Sequence, residues 1–265
     1  MTQPEMAVRF GAVTHQGLVR SSNEDSYLTV PPVFMVADGM GGHSQGEAAS
    51  RAVADSFLEL SAQEWLSSND LVDAVDRAAT VVMGLPSTGR APGSTLSGVG
   101  MSLQGGMPCW LVFNIGDSRT HLLRDGELTQ ISVDHSAAAR AAAAGAAPVA
   151  RNVITRALGA GLSKPIADQW LIPAADGDRI LVCSDGLSND VSAELIAATL
   201  LTVADPREAA DSLVQAALNA GGHDNVTAVV VDCDRVVSTA TAGSGLDDST
   251  VSPDDDTVPE WADES

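Results

Sequence analysis

The sequence predicts an α+β protein built as a layered sandwich, and three observations carry that expectation. Runs of strand length, apolar or alternating, recur at 6–14, 27–30, 33–37, 94–103, 109–115, 120–124, 127–131, 166–172, 179–182 and 226–231. Helical spacing is strongest in two pairs of segments, one after the third run and one before the last. Neighbouring runs are joined by short turns such as Asp125-Gly126, not by regular helical crossovers. Strand runs that bracket a helix pair fit packed layers better than an alternating parallel α/β fold.

In chain order, 6–14 opens as a strand, with a loop at Gln16-Gly17. A second strand spans 27–30, and Pro31-Pro32 separates it from the apolar run Val33-Phe34-Met35-Val36-Ala37. That run reads as a buried strand ending in Asp38-Gly39-Met40-Gly41-Gly42-His43. The spacing predicts a helix over 44–60, with Ser44 as N-cap and Glu47 completing a capping box. Asn69 or Asp70 is expected to cap a second helix running to Met83. Glycines and prolines over 84–93 end it before the strands at 94–103 and 109–115 and the hairpin 120–131. The Ala-rich stretch 136–150 predicts a short helix plus loop. Two further strands follow, the second leading into Cys183-Ser184-Asp185-Gly186; helices are expected over 193–201 and 206–219. The last strand is entered through Gly221-Gly222-His223-Asp224-Asn225.

The 265 residues suffice for one large domain with a sizeable core, and 45% hydrophobic against 18% charged residues is a globular balance. Aromatics make up only 3%, so aliphatic residues and alanine must fill the core. A formal charge of −21 argues against nucleic acid and anionic membranes as partners. Eight of the acids, and no Lys or Arg, lie in 237–265, leaving −13 on 1–236. The domain is therefore expected to be 1–236, followed by an acidic disordered tail. Cys109, Cys183 and Cys233 show neither a paired framework nor a zinc spacing. With no signal-peptide pattern and no membrane-spanning run, a reducing cytoplasm is the expected location.

One pattern recurs. Asp38, Asp117, Asp185 and Asp224 each lie where a strand begins or ends, beside glycine or, for Asp224, two residues from one. Aspartate beside glycine is also an ordinary turn pair. In a layered β core, however, strand ends gather at one edge, where several carboxylates would repel unless cations lie among them. Carboxylates together with bare glycine carbonyls suit hard cations such as Mg²⁺ or Mn²⁺.

Six segments in order resemble the metal-dependent protein serine/threonine phosphatases of type 2C, bacterial branch. They are Gly17-Leu18-Val19-Arg20 with Asn23-Glu24-Asp25, Ala37 to His43, Gly93-Ser94-Thr95-Leu96, Ile115-Gly116-Asp117-Ser118-Arg119, Cys183 to Ser188, and Asp224-Asn225-Val226-Thr227. The resemblance spans roughly 6–233 and implies a four-layer αββα sandwich, two mostly antiparallel sheets flanked by helix pairs. It implies two core ions, Mn²⁺ or Mg²⁺. Asp38 would bridge them, Asp185 and Asp224 would complete one site, and the Gly39 carbonyl and Glu24 would serve the other. A third, weaker ion is implied between Asp117 and Asp185. Arg20 matches the arginine that grips substrate phosphate, and a metal-bridging hydroxide would attack phosphorus directly. Phosphorylated proteins, and Ser/Thr kinases as the opposing enzymes, are the implied partners.

The chain departs from the family in two places. Met40 stands where eukaryotic members carry a histidine proposed as general acid. The flap near 134–152 reads as short and Ala-rich, without the usual acidic and bulky residues. That leaves two alternatives to a general phosphatase: a pseudophosphatase that only binds phosphoprotein, and a phosphatase dedicated to one regulatory partner. Asp25 is expected to be structural because it points away from Glu24 along a strand. Asn225 is either a support for Asp224 or a plain turn residue. Ser118 and Arg119 are read as loop supports, His43 as a helix-start residue, and His135 as solvent-facing.

Overall fold

A computed structural model describes residues 3–42, 44–87, 89–147, 149, 153–162 and 166–239. The expectations for His43 and for the tail beyond Thr239 fall outside the described residues. The elements run β1 (Glu5–His15), β2 (Asp25–Val30), β3 (Val33–Met40), α1 (Ser44–Ser56), α2 (Ser68–Met83), β4 (Gly93–Ser94), β5 (Leu96–Gln104) and β6 (Met107–Ile115). They continue as β7 (Arg119–Arg124), β8 (Glu127–Gln130), α3 (Ala137–Ala143), β9 (Leu158–Gly159), β10 (Asp168–Pro173), β11 (Arg179–Cys183), α4 (Asp185–Asp190), α5 (Ala193–Thr202), α6 (Pro206–Asn219) and β12 (Val226–Val237).

Two antiparallel sheets form the centre. One has the order β1-β12-β11-β7-β8; the other runs β10-β6-β5-β3-β4-β9, with β2 paired to β3. Phe34, Val36, Val99, Trp110 and Val112 of the second sheet pack against Ile180, Val182, Val229 and Val231 of the first. On the outer face of the second sheet, Val33, Met35, Leu111 and Phe113 meet Ala49, Val53 and Phe57 from α1 and its C-terminal extension, and Leu71, Val75 and Val82 from α2. On the outer face of the first, α5 and α6 bring Ile196, Leu200, Leu213 and Val214 against Leu181, Ala228 and Val230. The αββα sandwich is thus present. It also explains why 33–37 reads as an unbroken apolar run: β3 is buried on both faces, so its alternation carries no polar side.

Local signals set several helix ends. Asp205 accepts the backbone N–H groups of Arg207 and Glu208 at 2.9 and 3.0 Å, with Pro206 at the first helical position of α6. The cap of α2 is Ser67, not Asn69 or Asp70. Asp70 N–H donates to Ser67 Oγ while Ser67 N–H donates to Asp70, a capping box built with aspartate in place of glutamate. The first helix ends at Ser56, earlier than the spacing suggests, and a short 3-10 turn over Leu58–Ala62 carries Leu60 into the core. At the far end of the sandwich, buried Asp178 accepts from Trp110 Nε1 at 2.8 Å and from Arg124 Nε at 2.7 Å. That satisfied pair ties the two sheets together on the side away from the acids.

Candidate active site

The alternation of β3 decides where its carboxylate goes. Phe34 and Val36 face the other sheet, so Asp38, two residues on, faces it too. β2 pairs with β3 in a register that sets Asp25 opposite Asp38, and directly paired residues share a face. Asp25 does point away from Glu24, but into the space between the sheets. There it is 7% exposed, and its Oδ2 accepts from Ser184 Oγ at 2.8 Å and Thr227 Oγ1 at 2.7 Å, both on the opposite sheet's side. Asn23 Nδ2 donates to Thr14 Oγ1, and Thr14 bonds Thr227, so the hydroxyl chain runs toward Asp25. The structural role expected of Asp25 is thus not the whole of it: Asp25 also joins the acidic cluster.

The other acids arrive at the same rim. Asp185 opens α4, not a strand end as the sequence suggests, and Asn189 one turn on donates to its Oδ2 at 3.1 Å. Gly186 packs so closely on the Asn225 carbonyl that an added Cβ would lie 2.1 Å from it, which presses α4 against the 224–225 turn. Asp224 accepts Arg20 Nη2 at 2.6 Å. Asn225 braces the whole loop: its Oδ1 accepts Glu24 N–H at 2.8 Å, and its Nδ2 donates to the carbonyls of Gln16 and Ser22 at 2.8 Å. Its backbone N–H also donates to Asp224 Oδ1 at 2.8 Å, so Asn225 bonds to Asp224 as well as to the Glu24 backbone. Gly39 meets the first turn of α1 back to back; a Cβ on it would lie 2.1 Å from the Gly46 carbonyl, and one on Gly46 would overlap Glu24 Oε2.

Arg20, Glu24, Asp38, Gly39, Asp117, Asp185 and Asp224 all line one cleft of about 550 Å³. Met40 and Asn225 share it, and Val153, Ile154 and Leu162 supply an apolar wall. Arg90 and Asn189 also line it; neither is marked by any segment pattern in the sequence. Among the described residues Arg90 has no carboxylate partner, so it is a second cation on an acidic cleft.

Electrostatics give the cluster its character. Burial, then the carboxylates of Asp25, Asp185, Asp117 and Asp224, hold Asp38 well above the ordinary aspartate range. Burial likewise pushes Asp25 and Asp117 up to about 7, with Asp185 adding to both. Asp185 is raised by burial and by Asp224. Asp25 Oδ1 and Asp117 Oδ1 are buried with no hydrogen-bond partner. Oxygen-only donors, mutual repulsion and orphaned carboxylate oxygens fit a divalent hard cation. Among the described residues no three acidic, histidine or cysteine side chains already converge as a closed cage. In this arrangement Asp224 is paired with Arg20 and Asp185 with Asn189.

Arg119 forms a two-pronged pair with Asp134, at 2.7 Å for Nη2, and Ser118 Oγ bonds Thr95 Oγ1 at 2.8 Å, so both support the loop as expected. His135 is not solvent-facing; it is 7% exposed and wedged between two loops.

A family model described as protein phosphatase 2C matches residues 20–220. The chain is 37% identical over 243 residues to the serine/threonine protein phosphatase PstP of Mycobacterium tuberculosis, covering 88% of this chain and 46% of that protein. It therefore spans about half the length of that relative. It is 30% identical over 244 residues to the serine/threonine phosphatase stp of Listeria monocytogenes, with 83% of this chain and 94% of that one covered. The crystal structure of the PstP catalytic domain with two manganese ions aligns with a TM-score of 0.78 at 35% identity, over 87% of this chain and all of that one.

Proposed function

Because the chain belongs to the protein phosphatase 2C family, we propose that it is a divalent-cation-dependent phosphoserine/phosphothreonine protein phosphatase. The observation that carries this is the single cleft whose lining joins Glu24, Asp38, Asp117, Asp185 and Asp224 with Arg20. Asp38, central in the cluster, would contribute to holding two cations, Mn²⁺ or Mg²⁺. Asp185 and Asp224 serve one side; the Gly39 carbonyl and Glu24 serve the other. Asp117 with Asp185 would hold a third, weaker one. Bound there, the cations neutralise phosphate charge and supply an activated water at neutral pH.

The chain's own groups do the rest. Arg20 offers a guanidinium fork to phosphate oxygens and exchanges its bond to Asp224 for one to the substrate. Asn225 and Gly46 keep Glu24 in register, and Thr95 holds β3 at its end through both Asp38 N–H and the Asp38 carbonyl, each at 2.9 Å. Met40 cannot donate a proton, so the leaving serine or threonine oxygen takes its proton from solvent admitted through the open cleft. The pseudophosphatase alternative is not favoured, since every acid the resemblance requires is present at one rim. Phosphorylated proteins are the proposed substrates, and Ser/Thr kinases the enzymes whose work it reverses. The cytoplasm is the proposed compartment, in keeping with three buried free cysteines. Among the described residues no helix is long and apolar enough to cross a membrane.

The test is hydrolysis of a phosphothreonine peptide by the full chain. Release of phosphate with Mn²⁺, its loss on chelation and its return on adding Mn²⁺ are expected. Hydrolysis indifferent to chelator would overturn the cation-dependent assignment.

A further inference from the structure

The Asp117 loop is held from two sides. Gly116 adopts φ +106°, and a Cβ there would lie 2.6 Å from Thr95 Cγ2, so only glycine fits. On the other flank stands His135. Gly116 N–H donates to His135 Nδ1 at 3.0 Å, and His135 N–H donates to the Gly116 carbonyl at 2.8 Å. Because Nδ1 accepts, the imidazole proton is on Nε2, which donates to Asp168 Oδ2 at 3.0 Å. Arg156 pairs with the other oxygen of Asp168 and also reaches the Ile166 carbonyl at 3.3 Å. Thr155 N–H donates to the His135 carbonyl at 2.7 Å. Burial lowers His135, against the pull of Asp168, so it stays the neutral tautomer this geometry requires.

These contacts make one continuous chain. It runs from the Asp38 backbone through Thr95 to Gly116 and Ser118, then through His135 to Asp168 and Arg156. The residue that Gly116 aims is Asp117, buried, with one carboxylate oxygen unpartnered.

We propose that His135 is a positioning residue that fixes the Gly116 backbone and thereby aims the Asp117 carboxylate, coupling Thr155, Arg156 and Asp168 to the cation site shared by Asp117 and Asp185. This rests on the cation-site assignment above and adds to it the residue that sets the weakest site. The Nδ1 bond is the part that matters; the Nε2 bond braces the ring.

Two near-isosteres separate those functions. His135→Asn puts an amide oxygen near Nδ1 and keeps the acceptor for Gly116. His135→Gln puts an amide N–H₂ near Nε2 and keeps the bond to Asp168 but loses the acceptor. Mn²⁺ binding to the full chain, read by the electron paramagnetic resonance of free Mn²⁺, counts sites without any turnover. His135→Gln is expected to weaken the weakest site by about 10-fold or more and leave the two tighter sites unchanged; His135→Asn should stay within about 3-fold of the unaltered protein. Asp168→Ala, which removes the brace together with the carboxylate partner of Arg156, should weaken the same site by about 3-fold, and it serves if His135→Gln does not fold. Equal binding by all variants, loss of every site together, or a weaker site in His135→Asn than in His135→Gln would overturn the proposal. Failure of the unaltered chain to bind any Mn²⁺ would instead overturn the cation-site assignment, and this proposal with it.

Discussion

Replacing Asp38 by asparagine is expected to lower phosphopeptide hydrolysis by at least about 10³-fold, equivalent to about 4 kcal/mol of transition-state stabilisation. The same change is expected to make the cation-free protein more stable. Asp38 faces four other carboxylates and is held well above its ordinary range by burial and by them. An amide of the same shape removes a charge that only a cation tolerates, while the backbone bonds to Thr95 at 2.9 Å survive. A gain of even 1 kcal/mol would raise Tm by about 2–4 °C in a domain of this size. Activity and stability therefore move in opposite directions, as they do where a functional site stores repulsion. Steady-state rates with Mn²⁺ and thermal unfolding with chelator check the pair of outcomes. Unchanged turnover would remove Asp38 from the reaction.

Cation-free protein should also lose stability as pH rises, the reverse of ordinary acid denaturation. Burial moves Asp25 and Asp117 from 3.8 up to about 7 in the folded chain. The folded state then binds protons that the unfolded state has released, so stability falls with pH across that interval. The contribution is complete below about 4 and is lost as pH rises through about 7. Each group accounts for up to roughly 4 kcal/mol, less where the acids share protons. Bound cations should abolish the dependence by favouring the ionised carboxylates. Urea unfolding at pH 5 to 8, with chelator and then with Mn²⁺, measures both slopes. A chelated protein whose stability is flat or rises over that range would contradict the linkage.

Much of this site could be read from the chain alone, because its principal acids announce themselves locally. Asp38, Asp117, Asp185 and Asp224 each border a strand-length run, with a glycine beside them or, for Asp224, two residues away, and a layered core brings such ends together. Asp25 could not be read the same way. Its neighbours are Ser184 and Thr227, 159 and 202 residues away, and only the β2–β3 register reveals that it faces Asp38. His135 follows a charged residue in a polar stretch and looks exposed; Gly116 and Asp168 enclose it from distant segments. The strand ending before Asp185 gave no sign that a six-residue helix starts there, since the turn that forms it is stabilised by packing on Asn225, not by its own propensity. The α2 cap was missed by two to three residues because aspartate replaces the usual glutamate of the capping box.

Direct Mn²⁺ binding to the intact chain, by calorimetric titration, tests the central claim that carboxylates remote in sequence share cations at one rim. Two tightly held Mn²⁺ per chain and a weaker third are expected, with the tight pair disrupted in Asp38→Asn. No saturable binding, or binding that Asp38→Asn leaves unchanged, would contradict it.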